Sequence, residues 1–257
     1  MEKPKEKTDY ASIKSAKRTL ELFELFSELR RPARVTELYK SLELPQSSTS
    51  KLLRTFSKLG YLHYDPEART FYPTLRVTLL GSWLHDQWFG SGKLLRTVEA
   101  LREELGTSVL LGVQNDIYVL YMLALEALQH PRPPLSVGTL RPICRAAVGK
   151  ALLLSKSDHE IELLIRRINA EENDTAQHIE PQGFLADIRQ SRERGYTLSN
   201  GSVIPGVGVV ATTLPKLPGQ PLMALGVGAK LDWLTPNLPM VLTALRDRVN
   251  ELGNVDG

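Results

Sequence analysis

The stretch Thr36-Glu37-Leu38-Tyr39-Lys40-Ser41-Leu42-Glu43-Leu44-Pro45-Gln46-Ser47-Ser48-Thr49-Ser50-Lys51-Leu52-Leu53-Arg54 reads as two helices joined by a short turn. Leu38 and Leu42 mark one apolar helical face, and residues 44–47 carry the proline and serine that favour a turn and a new helix start. In the second helix apolar residues recur at i, i+4 and i+7, which predicts one buried stripe made of Leu52, Phe56 and Leu59.

A helix before this stretch and a hairpin after it complete a winged helix-turn-helix. Apolar spacing predicts the earlier helix between about Ser15 and Leu29. Beyond Gly60, which fits a helix C-cap, the runs 61–64 and 70–73 favour strands on either side of a turn. A helical unit of this kind can place one helix in the major groove of DNA.

The polar face of the second helix offers groups that bind nucleic acid. Glutamine can pair with adenine edges and arginine with guanine, while hydroxyls and lysine reach phosphates. The hairpin tip adds one more cation that could enter a neighbouring groove. The expected DNA-binding residues are Gln46, Ser47, Ser48, Thr49, Lys51, Arg54 and Arg69. A solvated helix, or a winged helix that binds protein, is the alternative.

Charge and composition agree with a DNA-binding head on a larger body. Residues 1–80 carry a formal charge of +5 and the rest carries −2, within a 257-residue chain of net charge +3. The apolar fraction of 42% can fill proper cores. The single cysteine, Cys144, excludes an intramolecular disulfide and fits a reducing cytoplasm. We expect no secretory signal and no membrane span.

The apolar pattern changes along the chain, and this predicts the domain organisation. Two helices with a joint should follow the hairpin, and alternating strands and helices should follow those, typical of an α+β domain with a mostly antiparallel sheet. The expected segments are a mobile tail at 1–12, the winged helix-turn-helix at 13–74, linker helices at 75–106 and the α+β domain at 107–254.

Three segments, in this order, resemble the IclR family of bacterial transcriptional regulators. The first is the turn and helix at 44–55 with Leu59-Gly60-Tyr61-Leu62, the second is Pro142–Leu153, and the third is Arg194-Gly195-Tyr196 with Ile204–Ala211. The resemblance covers nearly the whole chain. It implies a winged-helix head, a linker helix, a GAF-like effector domain, and dimers or tetramers that act on operator DNA.

The second of these segments has the chemistry of an anion site. Gly149 allows a helix start to lie close to the sheet, and Arg145 and Lys150 add positive charge. Alternatively, Gly149 serves packing alone and both cations face water. Compared with family members that bind small acids, this chain has Cys144 in place of histidine and lacks most of the other polar groups. Burying unpaired polar atoms costs about 1–3 kcal/mol each, which favours a more apolar pocket.

We therefore expect an aromatic or longer-chain acid held by Arg145, or else a domain that binds no effector. The expected effector-binding residues are Leu111, Val113, Tyr121, Cys144, Arg145, Ala147, Gly149, Val209, Ala211, Met223 and Leu225, with Met122 or Leu123 at the edge. Each of these residues could instead be ordinary core. Cys144 could be a redox switch near cations, or simply a small core residue.

Catalytic and metal-binding patterns are missing from the sequence. It contains no Gly-x-Ser-x-Gly elbow, no phosphate loop and no His-Glu-x-x-His, and its five histidines lack metal-ligand spacing. We expect a cytoplasmic regulator that is not an enzyme and needs no cofactor. Its partners should be double-stranded operator DNA, a small effector and further copies of itself. An unrecognised enzyme in the α+β domain is the rival hypothesis.

Overall fold

The computed structural model describes residues 13–81, 92–127, 137–216 and 219–253, and the chain divides into two compact units within residues 1–90 and 91–257. The expected tail at 1–12 and the middle of the expected linker, residues 82–91, lie outside the described residues. Among the described residues, no helix combines the length and apolar character needed to cross a membrane.

The first unit is a winged helix-turn-helix, as the sequence predicted. Its elements are α1 (Lys14–Leu29), β1 (Ala33–Arg34), α2 (Val35–Ser41), α3 (Gln46–Lys58), β2 (Leu62–Asp65), β3 (Thr70–Pro73) and α4 (Leu75–Leu79). The hairpin β2–β3 forms the wing, and the short strand β1 pairs with β3 to make a small antiparallel sheet in the order β1-β3-β2.

The core of this unit forms where the helices meet the wing. Leu22 and Phe26 of α1, Leu38 of α2 and Leu53 of α3 are buried together with Phe71 of β3. In α3 the predicted stripe is partly wrong, because Leu53 lies at its centre and Leu59 is 50% exposed. The helix is therefore rotated by about one residue relative to the prediction.

The second unit is an α+β domain, which confirms the predicted fold class. Its elements are α5 (Lys93–Leu105), β4 (Ser108–Asn115), β5 (Tyr118–Leu125), β6 (Leu140–Pro142), α6 (Ala147–Leu153), α7 (Asp158–Glu171), a 3₁₀ turn (Thr175–Gln177), α8 (Pro181–Arg194), β7 (Thr197–Asn200), β8 (Val207–Thr213), β9 (Met223–Lys230) and α9 (Leu231–Gly253). The strands form one antiparallel sheet in the order β6-β5-β4-β9-β8-β7.

Helices cover both faces of this sheet. On one face α6 contacts β4, β5, β7, β8 and β9, and on the other face α5 and α9 lie against β4, β8 and β9. A second apolar cluster joins the segment before α6 to α7 and α8: Ile143, Cys144, Leu153, Ile161, Ile165, Leu185 and Ile188. The last helix, α9, begins at Leu231 and contains Pro236 and Pro239.

Candidate nucleic-acid interface and effector cavity

The exposed face of α3 carries most of the residues that the sequence nominated for DNA binding. Gln46, Ser47, Lys51 and Arg54 are exposed, and Ser48 is half-buried. Ser47, Ser48, Lys51 and Arg54 point away from Leu53, and Gln46 is exposed because it is the first residue of the helix. These side chains are therefore free to contact a molecule outside the unit.

Thr49 is the exception, and its assignment to this face was wrong. Its side chain is fully buried, and its hydroxyl donates to the Pro45 carbonyl oxygen at 3.2 Å. Thr49 lies one turn before Leu53, so it points into the core with it. It stabilises the start of α3 and does not reach the surface.

A groove of about 900 Å³ runs beside this face, between the start of α2, α3 and the wing. Its lining residues are Arg34, Val35, Thr36, Ser50, Arg54, Ser57, Lys58, Tyr64, Glu67, Ala68, Arg69 and Phe71. Among these described residues, four are cationic and only Glu67 is acidic. The Ser57 hydroxyl is buried, and no described residue forms a hydrogen bond with it. The groove thus carries net positive charge, which suits an anionic partner.

The wing is held in shape by its own turn. Asp65 Oδ1 accepts hydrogen bonds from the backbone N–H groups of Glu67, at 2.9 Å, and Ala68, at 3.0 Å. Arg69 follows with a left-handed φ of 55°, and its exposed side chain lines the groove. The structure therefore brings together Arg54 and Arg69, which the sequence nominated separately.

Sequence reasoning missed two cations of this groove. Lys58 lies one turn after Arg54 on the same helical face, so its spacing could have revealed it. Arg34 had no local signal, because its position depends on the antiparallel pairing of β1 with β3, which places it opposite Thr70.

A small cavity lies in the second unit at the start of α6. Its volume is about 20 Å³, which is room for one water molecule. The residues that line it are Leu110, Tyr121, Arg141, Ala146, Ala147, Ser199, Val203, Ile204, Val207 and Val209. Three of the residues nominated from sequence are among them: Tyr121, Ala147 and Val209. Ala211 lies on the same face of the sheet, in the core under α6, without lining the cavity.

Four nominated residues lie on the wrong face of the sheet. A Cβ atom placed on Gly112 or Gly226 would touch Val148 of α6, so these positions and Leu110 face α6. Since side chains alternate along a strand, the neighbouring odd-numbered positions of β4 and β9 face away from the cavity. The residues whose assignment to the cavity was therefore wrong are Leu111, Val113, Met223 and Leu225.

Arg145 does not reach the cavity either. Its Nη2 donates to the Gln177 carbonyl oxygen at 2.8 Å, which ties the guanidinium to the 3₁₀ turn. Lys150 is also engaged, because its Nζ forms an ion pair with Asp187 Oδ2 at 2.7 Å. The anchor role that the sequence gave to Arg145 was therefore wrong for this structure.

Gly149 and Cys144 serve packing. A Cβ atom at Gly149 would lie 2.3 Å from the Ile143 carbonyl oxygen, so glycine allows α6 to approach the preceding segment closely. The Cys144 side chain is buried in the cluster with α7 and α8. Burial raises the pKa of its thiol to about 12, and the nearby Lys150 cation lowers it only in part. Such a thiol stays protonated at neutral pH, which disfavours the redox switch.

Two family models match the chain. The IclR helix-turn-helix domain matches residues 15–66, and the C-terminal domain of bacterial IclR transcriptional regulators matches residues 93–253. The chain belongs to the IclR family. It is a transcriptional regulator of the IclR type, with the DNA-binding head and the effector domain that the family implies.

Several relatives that match this IclR-family chain over most of their length are named as regulators. The acetate operon repressor of Salmonella typhimurium is 26% identical over 247 residues, covering 94% of this chain and 85% of the relative. The transcriptional repressor IclR of Escherichia coli is 24% identical, with the same coverage. The Pca regulon regulatory protein of Pseudomonas putida is 24% identical, covering 93% and 84%.

Solved IclR structures share the fold. The regulator from Alicyclobacillus acidocaldarius superimposes with a TM-score of 0.70 at 19% identity, covering 96% of this chain and all of that one. An IclR homologue from Microbacterium hydrocarbonoxydans, solved in complex with 4-hydroxybenzoate, has a TM-score of 0.65 at 15% identity and covers 93% and 97%. These structural similarities show that the chain has the IclR fold.

Sequence reasoning missed the other seven described lining residues of the cavity in this IclR-family regulator, and the one cation among them is Arg141. Arg141 lies on β6, where its Cα pairs with Val119 of β5. Its location depends on a short edge strand that the sequence pattern did not predict. No group of three or more metal-ligating side chains occurs among the described residues.

Proposed function

We propose that this regulator binds operator DNA with the exposed face of α3 in the major groove and the wing against an adjacent stretch of backbone. The observation that carries the proposal is the groove in which Arg34, Arg54, Lys58 and Arg69 converge beside α3. Winged helix-turn-helix units dock in this way, with one helix reading base edges.

The residues divide into two roles. Gln46, Lys51 and Arg54 are long, exposed side chains on α3, which suits contacts with base edges. Arg34, Lys58 and Arg69 flank the groove, which suits contacts with phosphates, and such contacts fix orientation without reading sequence. Thr49 has no part in this surface.

We infer that the regulator acts in the cytoplasm as a dimer or a pair of dimers. A symmetric dimer places two α3 helices on two half-sites, so the operator should be an inverted repeat. Relatives named as repressors and operon regulators support the role on operator DNA. The same relatives favour a C-terminal unit that binds a ligand without catalysing a reaction on it. The alternative is an unrecognised enzyme in this unit.

We also propose that a small molecule bound in the second unit changes operator affinity. The mostly apolar lining of the cavity favours an acid with an apolar body, and a structural neighbour holds 4-hydroxybenzoate. An effector that prefers one arrangement of the heads would shift affinity by a coupling of about 1–3 kcal/mol. A regulator without an effector is the alternative, and its operator affinity would not respond to any acid.

A gel-shift series on the DNA upstream of the gene itself tests the operator proposal. Affinity should fall steeply with salt, because each phosphate contact adds about 0.9 to the slope of log K against log salt. Arg54→Ala and Lys51→Ala should each weaken binding by about tenfold. Lys17→Ala is the matched control, since that exposed lysine lies on α1 outside the groove. Undiminished affinity in both α3 variants would overturn the placement of α3.

A further inference from the structure

Arg141 is a cation next to a largely apolar cavity without an anion to match it. The side chain is half-buried, and no hydrogen bond or ion pair joins its guanidinium to any residue in the described parts of the chain. By contrast, Arg145 and Lys150 are both engaged by protein oxygens. Because a guanidinium beside an apolar cavity can pair with a carboxylate through opposite charge and hydrogen bonds, the Arg141 site favours an anionic ligand.

The rest of the lining limits what that anion can be. Leu110, Ala146 and Ala147 present apolar surface, and so do the side chains of Val203, Ile204, Val207 and Val209. Tyr121 and Ser199 add polar atoms but no charge. Among the described lining residues Arg141 is the one cation, so a second carboxylate on the ligand would be buried without a partner.

We propose that Arg141 binds the carboxylate of a monocarboxylic acid with an apolar body, and that it selects this acid over the neutral amide of the same shape. The planar guanidinium can donate two parallel hydrogen bonds to the two oxygens of a carboxylate. A neutral amide cannot accept both of these hydrogen bonds in the same way. The inference rests on the proposed function, because it names the ligand class and the selecting residue for the effector site proposed above.

The connection between β7 and β8 provides the way in. Val203 and Ile204 line the cavity from this connection, and Gly201 and Gly206 flank them with φ of +77° and +76°. The Ser202 hydroxyl donates to the Arg145 carbonyl oxygen at 3.0 Å and holds the connection down. Since the closed cavity has room only for one water, Val203 and Ile204 must move outward when an acid binds.

Calorimetry on the full chain with benzoate and benzamide tests the proposal. Benzoate should bind and benzamide should bind weakly or not at all. Arg141→Gln should weaken benzoate by about tenfold or more, since it removes a charge-assisted pair. Arg141→Lys should restore part of that loss. Arg145→Gln is the matched control and should leave benzoate affinity unchanged, because its guanidinium is bound to Gln177.

Several outcomes would overturn it. Equal benzoate affinity in wild type and Arg141→Gln removes the anchor role, and so does equal affinity of wild type for benzoate and benzamide. Failure of benzoate, phenylacetate and hexanoate to bind at millimolar concentration removes the ligand class. Circular dichroism confirms that each variant is folded. Operator binding is measured separately, without ligand. If the wild-type protein did not bind operator DNA, the proposed function would be overturned. If it does bind, the calorimetry alone decides the role of Arg141.

Discussion

Lys150 and Asp187 form an ion pair between α6 and α8, with 2.7 Å between Nζ and Oδ2. The same ammonium donates to the Leu198 carbonyl oxygen at 3.3 Å, and its side chain is 16% exposed. This lysine therefore fixes the helix layer to the edge strand β7, which explains why a cation at the start of α6 is unavailable to a ligand.

Lys150→Met should destabilise the second unit. The substitution removes the donor to the Leu198 carbonyl and leaves Asp187 with its longer ion pair to Arg194, at 3.6 Å. A hydrogen bond to a charged group contributes about 1.5–3 kcal/mol. Urea unfolding followed by circular dichroism measures the change in the free energy of unfolding. Lys230→Met, at an exposed lysine, should have little effect. Equal stability of the two variants would show that the ion pair contributes nothing.

Gly149→Ala should be among the most damaging single-methyl changes in the chain. The new Cβ would lie 2.3 Å from the Ile143 carbonyl oxygen and 2.8 Å from its Cα, and both are backbone atoms that cannot rotate away. Overpacking of this kind costs about 1–3 kcal/mol. Thermal denaturation compares it with Gly81→Ala, where no atom lies within 4 Å of the new Cβ. A melting temperature equal to that of Gly81→Ala would contradict the close approach.

Cys144 should make stability fall in alkaline solution. Burial raises the pKa of the folded thiol from 9.0 to about 12, so the folded state keeps its proton where the unfolded state has lost it. The unfolded state then binds fewer protons, and the free energy of unfolding decreases as the pH rises above about 9. Cys144→Ala should reduce this slope in urea titrations at several pH values. A thiol reagent should react with native Cys144 only at the rate of unfolding.

Thr49→Val should leave operator affinity unchanged. The Thr49 side chain is buried, and valine has nearly the same shape, so the exposed face of α3 is preserved. Loss of the hydrogen bond to the Pro45 carbonyl should lower the free energy of unfolding by about 1 kcal/mol. Gel shifts beside Arg54→Ala provide the comparison. If Thr49→Val weakened binding as much as Arg54→Ala, the buried position of Thr49 in the complex would be refuted.

The winged helix-turn-helix could be predicted because its signals are local. Helical spacing, the turn at Pro45, the cap at Gly60 and the β-prone runs of the wing each act within a few residues. The rotation of α3 was missed because Leu52 and Leu53 are equally apolar, and only tertiary packing selects Leu53 for the centre.

The cavity could not be predicted in the same way. Residues 108–113 of β4 and 223–229 of β9 are all buried, since helices cover both faces of the sheet. A strand buried on both sides has no apolar alternation, so the sequence does not say which side chains face α6. The place of Arg141 beside the cavity likewise depends on the pairing of β6 with β5, a long-range contact that the sequence does not reveal.

The contact between α6 and the sheet also governs how much ligand space this fold can offer. At Gly112 and Gly226 the helix rests almost directly on the main chain, and Val148 occupies the room where Cβ atoms would lie. Ala146 and Ala147, just before Val148, form part of the cavity ceiling. A methyl group added to either glycine would push α6 away from the sheet, so the size of the cavity can change through substitutions at these two positions while every residue that lines it stays the same.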